Sequence, residues 1–508
     1  MSDSRKPETA STGPENPAAR SRVVATAATS VMGLAIIVLS GLQMMVVLDG
    51  TVANLALAPL QADLGLSDSG RNWVLTSYAL AFGGLMLLGG RLGDAFGRKK
   101  MFISGVALFT VASLLCGLAV NEITLIGARF LQGVGAAVAS PTALALVATT
   151  FAAGPARNQA IAIFAAMTGI GSIAGLIIGG ALTEVSWRLI FLINVPIGLV
   201  IVLCAFRALK ETAGERLSLD VKGAVLATVA ATGVVFALTE GPELGWTSPF
   251  VIGALVAGVL LFGAFLYVER TATNPLLPFS LFTDKNRVAT LVAIFFAGAV
   301  MFTVAAFVAL FVQDILGYSP LDAGLAFIPF AFGLGGAAAV ASKLAVRIEP
   351  RWLVIAGATI MTVGLLYGST LDGSATYLAN LFVPVIGIGF GVGLAVVPLP
   401  LCAIAGVRET EIGPLAAIAQ VAQTLGGPLA LAVIGAMATS RTLSLGGISG
   451  KVADMTPTQI EALGNGYTFA LVGSAACAVT AGVAAFFIRF TPGQVAQAQA
   501  AEKAAQQS

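Results

Sequence analysis

The chain contains no histidine, and charged residues make up only 10% of its 508 positions. The first absence removes the one side chain that ordinarily titrates near neutral pH, so any proton chemistry there falls to a carboxyl group in an unusual setting. The second, with 57% hydrophobic residues and a mean hydropathy of +0.94, excludes a soluble globular domain and marks an integral membrane protein. Cysteine is scarce too. Cys116, Cys204, Cys402 and Cys477 fall inside apolar runs without paired spacing, which excludes a disulfide framework or a thiolate metal site and leaves packing residues. The net charge of +2 comes from basic residues spread along the chain rather than gathered in a patch, so nucleic acid is excluded as a partner. No Walker A sequence occurs, and the loose dinucleotide fingerprint Gly169-Ile-Gly-Ser-Ile-Ala174 follows no strand. No cofactor, metal or enzymatic activity is expected; the energy source is an ion gradient.

What the chain has in abundance is long apolar runs. Reading those of roughly 18 or more residues as helices that cross a bilayer gives about fourteen spans. They are centred near Val38, Ala81, Leu108, Ala137, Ser172, Val200, Val229, Gly258, Met301, Leu334, Met361, Gly389, Leu425 and Ala478. Of the 27 Lys and Arg, all but Arg71, Arg188, Arg441, Lys451 and Arg129 fall in the tails or the even-numbered loops, which puts both termini in the cytoplasm. The natural parsing is a disordered cytoplasmic tail at 1–30, a six-helix bundle at 31–210, two extra spans at 211–270, a second six-helix bundle at 271–490 and a cytoplasmic tail at 491–508. The two bundles should be related repeats. A worn copy of the loop after span 2 recurs at Ser342-Lys-Leu-Ala-Val-Arg-Ile-Glu-Pro-Arg351, where a duplicated half would place it. In a long outer loop at 441–466, Thr456-Pro-Thr-Gln459 reads as an N-cap, a first-turn Pro and a Gln at the third position, and predicts a short surface helix.

Charge inside the membrane is costly, and functional by default. Asp49 is the one acid well inside a span and Arg129 its one basic counterpart; their distances from the outer ends of spans 1 and 4 place them at a common depth. Asp49 is the candidate carrier of a coupling proton, with burial opposing its ionised form and Arg129 favouring it. A permanent ion pair joining two helices is the plainer alternative. Gly90, Gly93 and Gly97 in Gly90-Arg-Leu-Gly-Asp-Ala-Phe-Gly-Arg-Lys-Lys100 allow a tight reversal, with Asp94 a fixed anion and Arg98, Lys99 and Lys100 holding the loop on the cytoplasmic side. Gly171, Gly175, Gly179 and Gly180 recur on one face of the fifth span, where they would let another helix pack closely and slide. Gln43, Asn54, Tyr78, Gln420 and Gln423 offer polar groups, and Phe302 and Phe330 aromatic ones, to a cavity for an amphipathic small molecule, with hydrogen bonding between helices the plainer role for Gln43, Asn54, Gln420 and Gln423.

These segments together resemble one family. The Gly90–Lys100 loop is similar to the signature loop of the major facilitator superfamily, in which Gly90, Asp94, Gly97 and Arg98 would form a latch between the two halves. Leu48-Asp-Gly-Thr-Val-Ala-Asn54 and Arg129-Phe-Leu-Gln-Gly-Val-Gly135 resemble the first- and fourth-span motifs of its fourteen-helix drug:proton antiporter family. Trp73-Val-Leu-Thr-Ser-Tyr78, Trp187-Arg-Leu-Ile-Phe-Leu-Ile-Asn-Val-Pro196 and Leu316-Gly-Tyr-Ser-Pro320 are similar to further segments of that family. The fifth-span glycines resemble its antiporter motif, except that Leu176 stands where the motif usually has Pro, and Ala422 precedes Gln423 where the family usually has Arg.

The resemblance implies an all-α major facilitator fold in the plasma (inner) membrane, monomeric and powered by protons, that exports antibiotics or other amphipathic compounds by alternating access. Its rivals are an exporter dedicated to one self-made metabolite, a proton-coupled nutrient symporter and a non-transporting membrane sensor.

Overall fold

A computed structural model describes residues 17–151, 155–211, 214, 220–272, 282–345, 347–407 and 409–505. Among these, fourteen helices are long and apolar enough to cross a membrane. Spans 1 to 6 are Gly33–Leu55, Asp68–Phe96, Arg98–Gly117, Glu122–Thr150, Gln159–Val185 and Arg188–Ala208; spans 7 and 8 are Val221–Leu244 and Pro249–Thr271. Spans 9 to 14 are Lys285–Ile315, Pro320–Leu344, Pro350–Gly368, Tyr377–Ala403, Pro414–Ser444 and Pro457–Phe486. The positive-inside rule assigns the face carrying the basic loops to the cytoplasm, and the two faces are called cytoplasmic and outer on that basis.

Three local expectations are corrected. The helix containing span 1 starts at Pro17, inside the stretch expected to be a disordered tail; residues 1–16 lie outside the described residues, as do Val346 of the second-half loop copy and Arg408. Gly90, Gly93 and Asp94 are helical, because span 2 runs unbroken to Phe96, and Gly97 alone makes the reversal with a φ of 100° open to glycine. The Thr456 capping box forms, with Pro457 in the first turn, but it starts span 14 itself rather than a separate surface helix. The apolar run that follows leaves no residue to stop the helix, so it continues into the membrane.

The two six-span halves are built alike, and their packing shows it. In the first half span 1 packs on spans 5 and 6, span 4 on spans 2 and 3, and span 3 on span 6. Eight spans later the same pairs recur: span 9 with 13 and 14, span 12 with 10 and 11, and span 11 with 14. The halves meet along two seams that obey the same rule, span 2 against span 13 and span 10 against span 5. Small residues make both seams possible. A Cβ on Gly180 would lie 2.7 Å from Leu321 Cα, one on Gly435 3.0 Å from Asn72 Nδ2 and one on Gly83 2.9 Å from Leu425. These approaches lie from mid-membrane to the outer face, so the conformation is closed toward the outside.

The extra pair is not a separate appendage. Span 7 packs against both span 2 and span 13, covering one seam, and buried Val235 joins Trp73, Leu80 and Ala432 in a small apolar cluster there. Span 8 packs on span 7 and leaves most of its surface, including Val259, Leu260 and Tyr267, facing outward.

Candidate transport site

Asp49 and Arg129 meet in the interior of the first half, each with its side chain about 1% exposed and with Arg129 Nη1 2.6 Å from Asp49 Oδ2. The carboxylate accepts two further bonds on Oδ1, from Gln132 Nε2 at 2.7 Å and from Asn194 Nδ2 at 2.9 Å. The guanidinium donates through Nε to the Val74 carbonyl at 3.0 Å and through Nη1 to Gln132 Oε1 at 2.7 Å. Gln132 passes the network to Ser113 Oγ. Five spans, 1, 2, 3, 4 and 6, therefore converge on one ion pair. Arg129 also lies over two rings, Tyr78 at 4.5 Å and Phe191 at 5.5 Å, which supply attraction in place of water. Burying two charges costs several kcal/mol each after relaxation, so this density of partners is what holds the pair there. Two buried polar atoms at the site have no partner, the Tyr78 hydroxyl and Asn194 Oδ1.

Gln132 and Asn194 are contributors that sequence reasoning missed. Both lie inside motif segments, but a polar residue on a helix does not announce which neighbour it faces. Tyr78 sits beneath the guanidinium as a platform, rather than as a free ligand group in a cavity.

A second charged cluster went unforeseen. Arg71, grouped with the outer loop charges by its sequence position, lies in the first turn of span 2 and is 3% exposed. Its Nη1 donates to Gln61 Oε1 at 2.7 Å and to the Tyr467 hydroxyl at 3.0 Å. The Tyr467 hydroxyl in turn donates to Asp314 Oδ2 at 2.7 Å. Two carboxylates flank the guanidinium, Asp68 at 3.6 Å and Asp314 at 3.6 Å. Gln61, Asp68 and Arg71 belong to the first half, Asp314 and Tyr467 to spans 9 and 14 of the second, so the cluster ties the halves together at the outer face. Around its rim Glu243, in the last turn of span 7, accepts from Ser69 N and Ser449 Oγ, and Ser449 accepts from Asp68 N.

At the cytoplasmic end Asp94 pairs with Arg98 at 2.8 Å, across Gly97 and within its own half. Lys99 Nζ donates to the Phe206 carbonyl at the end of span 6. Gly90 and Gly93 serve as packing sites against Pro141 and Thr142 of span 4. The four glycines of span 5 do not share one face. Gly171, Gly175 and Gly179 press on Met44, Thr51 and Val52 of span 1, whereas Gly180 turns to Pro320 and Leu321 across the seam. Consecutive residues on a helix are about 100° apart, so Gly179 and Gly180 cannot do otherwise.

The seven residues expected around a substrate cavity lie on several spans and in different settings. Gln43 donates to Thr168 Oγ1, Asn54 to the Gly50 carbonyl of its own helix, and Phe302 packs over Gly427. Gln423 and Phe330 place their backbones against Gly298 and Gly389 of neighbouring spans, and Gln420 is exposed. A cavity of ≈ 460 Å³ lies elsewhere, between spans 7, 13 and 14 near the outer face, lined by Leu238, Trp246, Met437, Arg441 and Phe469 among others. On the outer surface Asp63 accepts from Trp187 Nε1 at 2.9 Å and from Arg188 at 2.7 Å. The indole bond first, and then the guanidinium, hold its carboxyl below the ordinary aspartate value.

Two repeated six-helix halves, a buried acid–base pair in the first and glycine-lined seams between them define a secondary transporter of the alternating-access type. The chain belongs to the major facilitator superfamily, whose family model matches residues 39–239 and 222–431. It is 53% identical to the MFS-type transporter EfpA of Mycobacterium tuberculosis, over 92% of this chain and 89% of that protein. It is 37% identical to the puromycin resistance protein of Streptomyces alboniger, covering 80% and 82% of the two chains, and 38% identical to the cephamycin export protein of Amycolatopsis lactamdurans, covering 76% and 81%. Among solved structures, a bacterial homologue of the human lysosomal transporter Spinster superposes with a TM-score of 0.67 at 16% identity, over 91% of this chain and 99% of that one, which shows the shared fold.

Proposed function

We propose that this protein is a proton-coupled exporter of antibiotics or other amphipathic small molecules, working by alternating access between its two halves from the plasma membrane, with both termini cytoplasmic. The observation that carries the reading is Asp49, a carboxylate sealed inside the first half with three donors on its two oxygens. In this outward-closed conformation the arrangement is that of an ionised acid paired with Arg129. A proton arriving on Asp49 cancels the charge that Arg129 and Gln132 are oriented by, and the five spans that converge there must repack. The unpartnered Tyr78 hydroxyl and Asn194 Oδ1 are the groups nearest at hand to bond the neutral form. Coupling follows if the ionised and the protonated forms favour opposite openings. Asp94, with Gly90, Gly97 and Arg98, is the counterpart device on the cytoplasmic side, engaged across the halves when that side closes. The protein acts as a monomer, and needs no cofactor besides the proton gradient.

A second reading, export of one self-made compound, draws support from the relative that is named for cephamycin export. Everted membrane vesicles separate the possibilities. Adding puromycin or another amphipathic cation to energised vesicles should collapse part of the pH gradient when the wild type is present, and not when Asp49→Asn replaces it. A gradient that builds on addition, or an Asn variant that dissipates it as the wild type does, would overturn the proposal. A panel of unrelated drugs that all leave the gradient intact, beside a single compound that collapses it, selects the dedicated exporter.

A further inference from the structure

The outer cluster has a charge imbalance that the Asp49 site lacks. One guanidinium, Arg71, faces two carboxylates, Asp68 and Asp314, in a seam where all three side chains are less than a tenth exposed. Tyr467 is the other titratable group at Asp314; Arg71 and Asp68 of span 2 and Tyr467 of span 14 are the groups that act on it. With both acids ionised the sealed cluster carries an uncompensated negative charge, a costly state to bury.

We propose that Asp314 is a second proton-carrying residue, on the opposite half from Asp49, and that its protonation from the outside holds the outer seam shut. Three observations point to Asp314 rather than Asp68. Asp68 occupies the first turn of span 2, where the positive end of the helix dipole favours an anion, and it accepts from Gln61 Nε2 at 2.9 Å. Asp314 lies in the π-helical turn Phe311–Ile315 that ends span 9, where the dipole disfavours an anion. The short side-chain bond across the seam runs from Arg71 to Tyr467, whose hydroxyl is held by Asp314 within the second half, and neither bond needs Asp314 charged. A neutral carboxyl oxygen still accepts from the Tyr467 hydroxyl, so protonation removes the surplus charge and leaves the tie in place.

Space for a single water lies beside the cluster, next to the residues that bond Asp314 or share its guanidinium. A cavity of ≈ 10 Å³, about the room one water needs, is lined by Asp68, Arg71 and Tyr467. Arg71 Nε, buried and without a partner, is a donor at the same cluster. When the seam opens, both acids meet bulk water and ionise; when external acid restores the proton on Asp314, closure becomes favourable. The device would reset an emptied transporter in proportion to external acidity.

The test reads the outer seam, not transport. Spin labels at Glu184→Cys and Ser374→Cys, exposed outer positions on opposite halves, are measured by pulsed dipolar spectroscopy in nanodiscs, with Cys204 and Cys477 replaced by Ala. An Asp49→Asn background silences the first site, so failure here is distinguishable from failure of the proposed coupling. Lowering the pH from about 8 to about 5 should enrich the short-distance population, by up to about tenfold per pH unit, the limit for one linked proton. Asp314→Asn should stay closed at every pH, and Asp314→Glu should keep the response. A pH response unchanged in Asp314→Asn, or absent while Asp314 is intact, overturns the proposal. Should Asp314→Asn fail to fold, Tyr467→Phe must move the midpoint of the response; an unmoved midpoint overturns it equally.

Discussion

Arg129 and Arg71 are both buried guanidiniums on the outer side of the membrane, yet the structure treats them differently. Arg129 has one carboxylate, two further polar partners and two aromatic rings, all within one half. Arg71 has two carboxylates at longer range, and its partners come from both halves. A pair enclosed within one half can be compensated fully, because its partners travel together when the halves move apart. A cluster that straddles a moving seam has to tolerate being taken apart and hydrated, so full compensation there would lock the protein. The first arrangement suits a group whose charge governs the packing of one half. The second suits a joint between halves.

The contrast is broken most sharply by removing each cation in turn. Arg129→Met leaves Asp49 ionised, buried and unpaired, and should lower folding stability by about 3–5 kcal/mol, read as a large drop in thermal unfolding temperature in detergent. The double variant Arg129→Met with Asp49→Leu should recover most of that loss while remaining inactive in export. Arg71→Met should cost distinctly less stability, because the seam can open and hydrate Asp68 and Asp314. An equal loss in the two single variants would erase the distinction between an enclosed pair and a seam.

Small residues sharpen the same comparison with a smaller effect. Gly89 packs against the Ala137 carbonyl inside the first half, and Gly180 against Leu321 across the seam. Both Ala variants insert a methyl where backbone already stands, at about 1–3 kcal/mol. Gly89→Ala should spend that energy on unfolding and lower the melting temperature. Gly180→Ala should instead favour the outward-open form, seen as longer outer-face distances with an almost unchanged melting temperature.

How much of this could be read beforehand follows from the same physics. The fourteen spans were legible because hydrocarbon imposes its length and composition on every one of them. Asp49 and Arg129 were legible because a charge mid-span has no innocuous explanation. Asp314 and Arg71 were not, since each lies in a terminal turn, where a charge ordinarily reaches water; only the approach of spans 2, 9 and 14 buries them. The surroundings of the polar residues proposed for a substrate cavity were the least legible. Gln43 and Asn54 are polar on apolar helices, but helix rotation turned one toward Thr168 and the other back on its own backbone. Gly97 was correctly singled out as a turn, whereas Gly90 and Gly93 were not turn residues, because a glycine in a membrane helix is as often a packing site as a break.

Tyr467→Phe isolates the joint itself. It removes the hydroxyl that bridges Arg71 and Asp314 without changing the charge count or the ring packing against Phe307. The loss should be about 1–3 kcal/mol of seam closure, measured as a shift toward the open outer-face distances, with thermal stability moving less. A variant that unfolds more readily but keeps the wild-type distance distribution would assign Tyr467 to the second half's core.

The smallest effect is expected at the exposed surface, where neither kind of burial operates. Asp63 is hydrogen-bonded by Trp187 and paired with Arg188, and its carboxyl is held below the ordinary value of 3.8. A depressed folded-state value stabilises the fold above the unfolded-state value and loses that contribution as the pH falls through the folded-state one. Both partners of the ion pair are more than a third exposed, so solvent screening limits the contribution to about 0–1 kcal/mol. Asp63→Asn should therefore unfold slightly earlier than the wild type at about pH 7, and the gap should close as the pH falls through the folded-state value, below 3.8, where the wild-type acid also becomes neutral. A gap that persists in acid would mean that Asp63 acts through the shape of its contact with Trp187 and not through its charge, and the boundary between buried and screened ion pairs would have to be drawn elsewhere on this molecule.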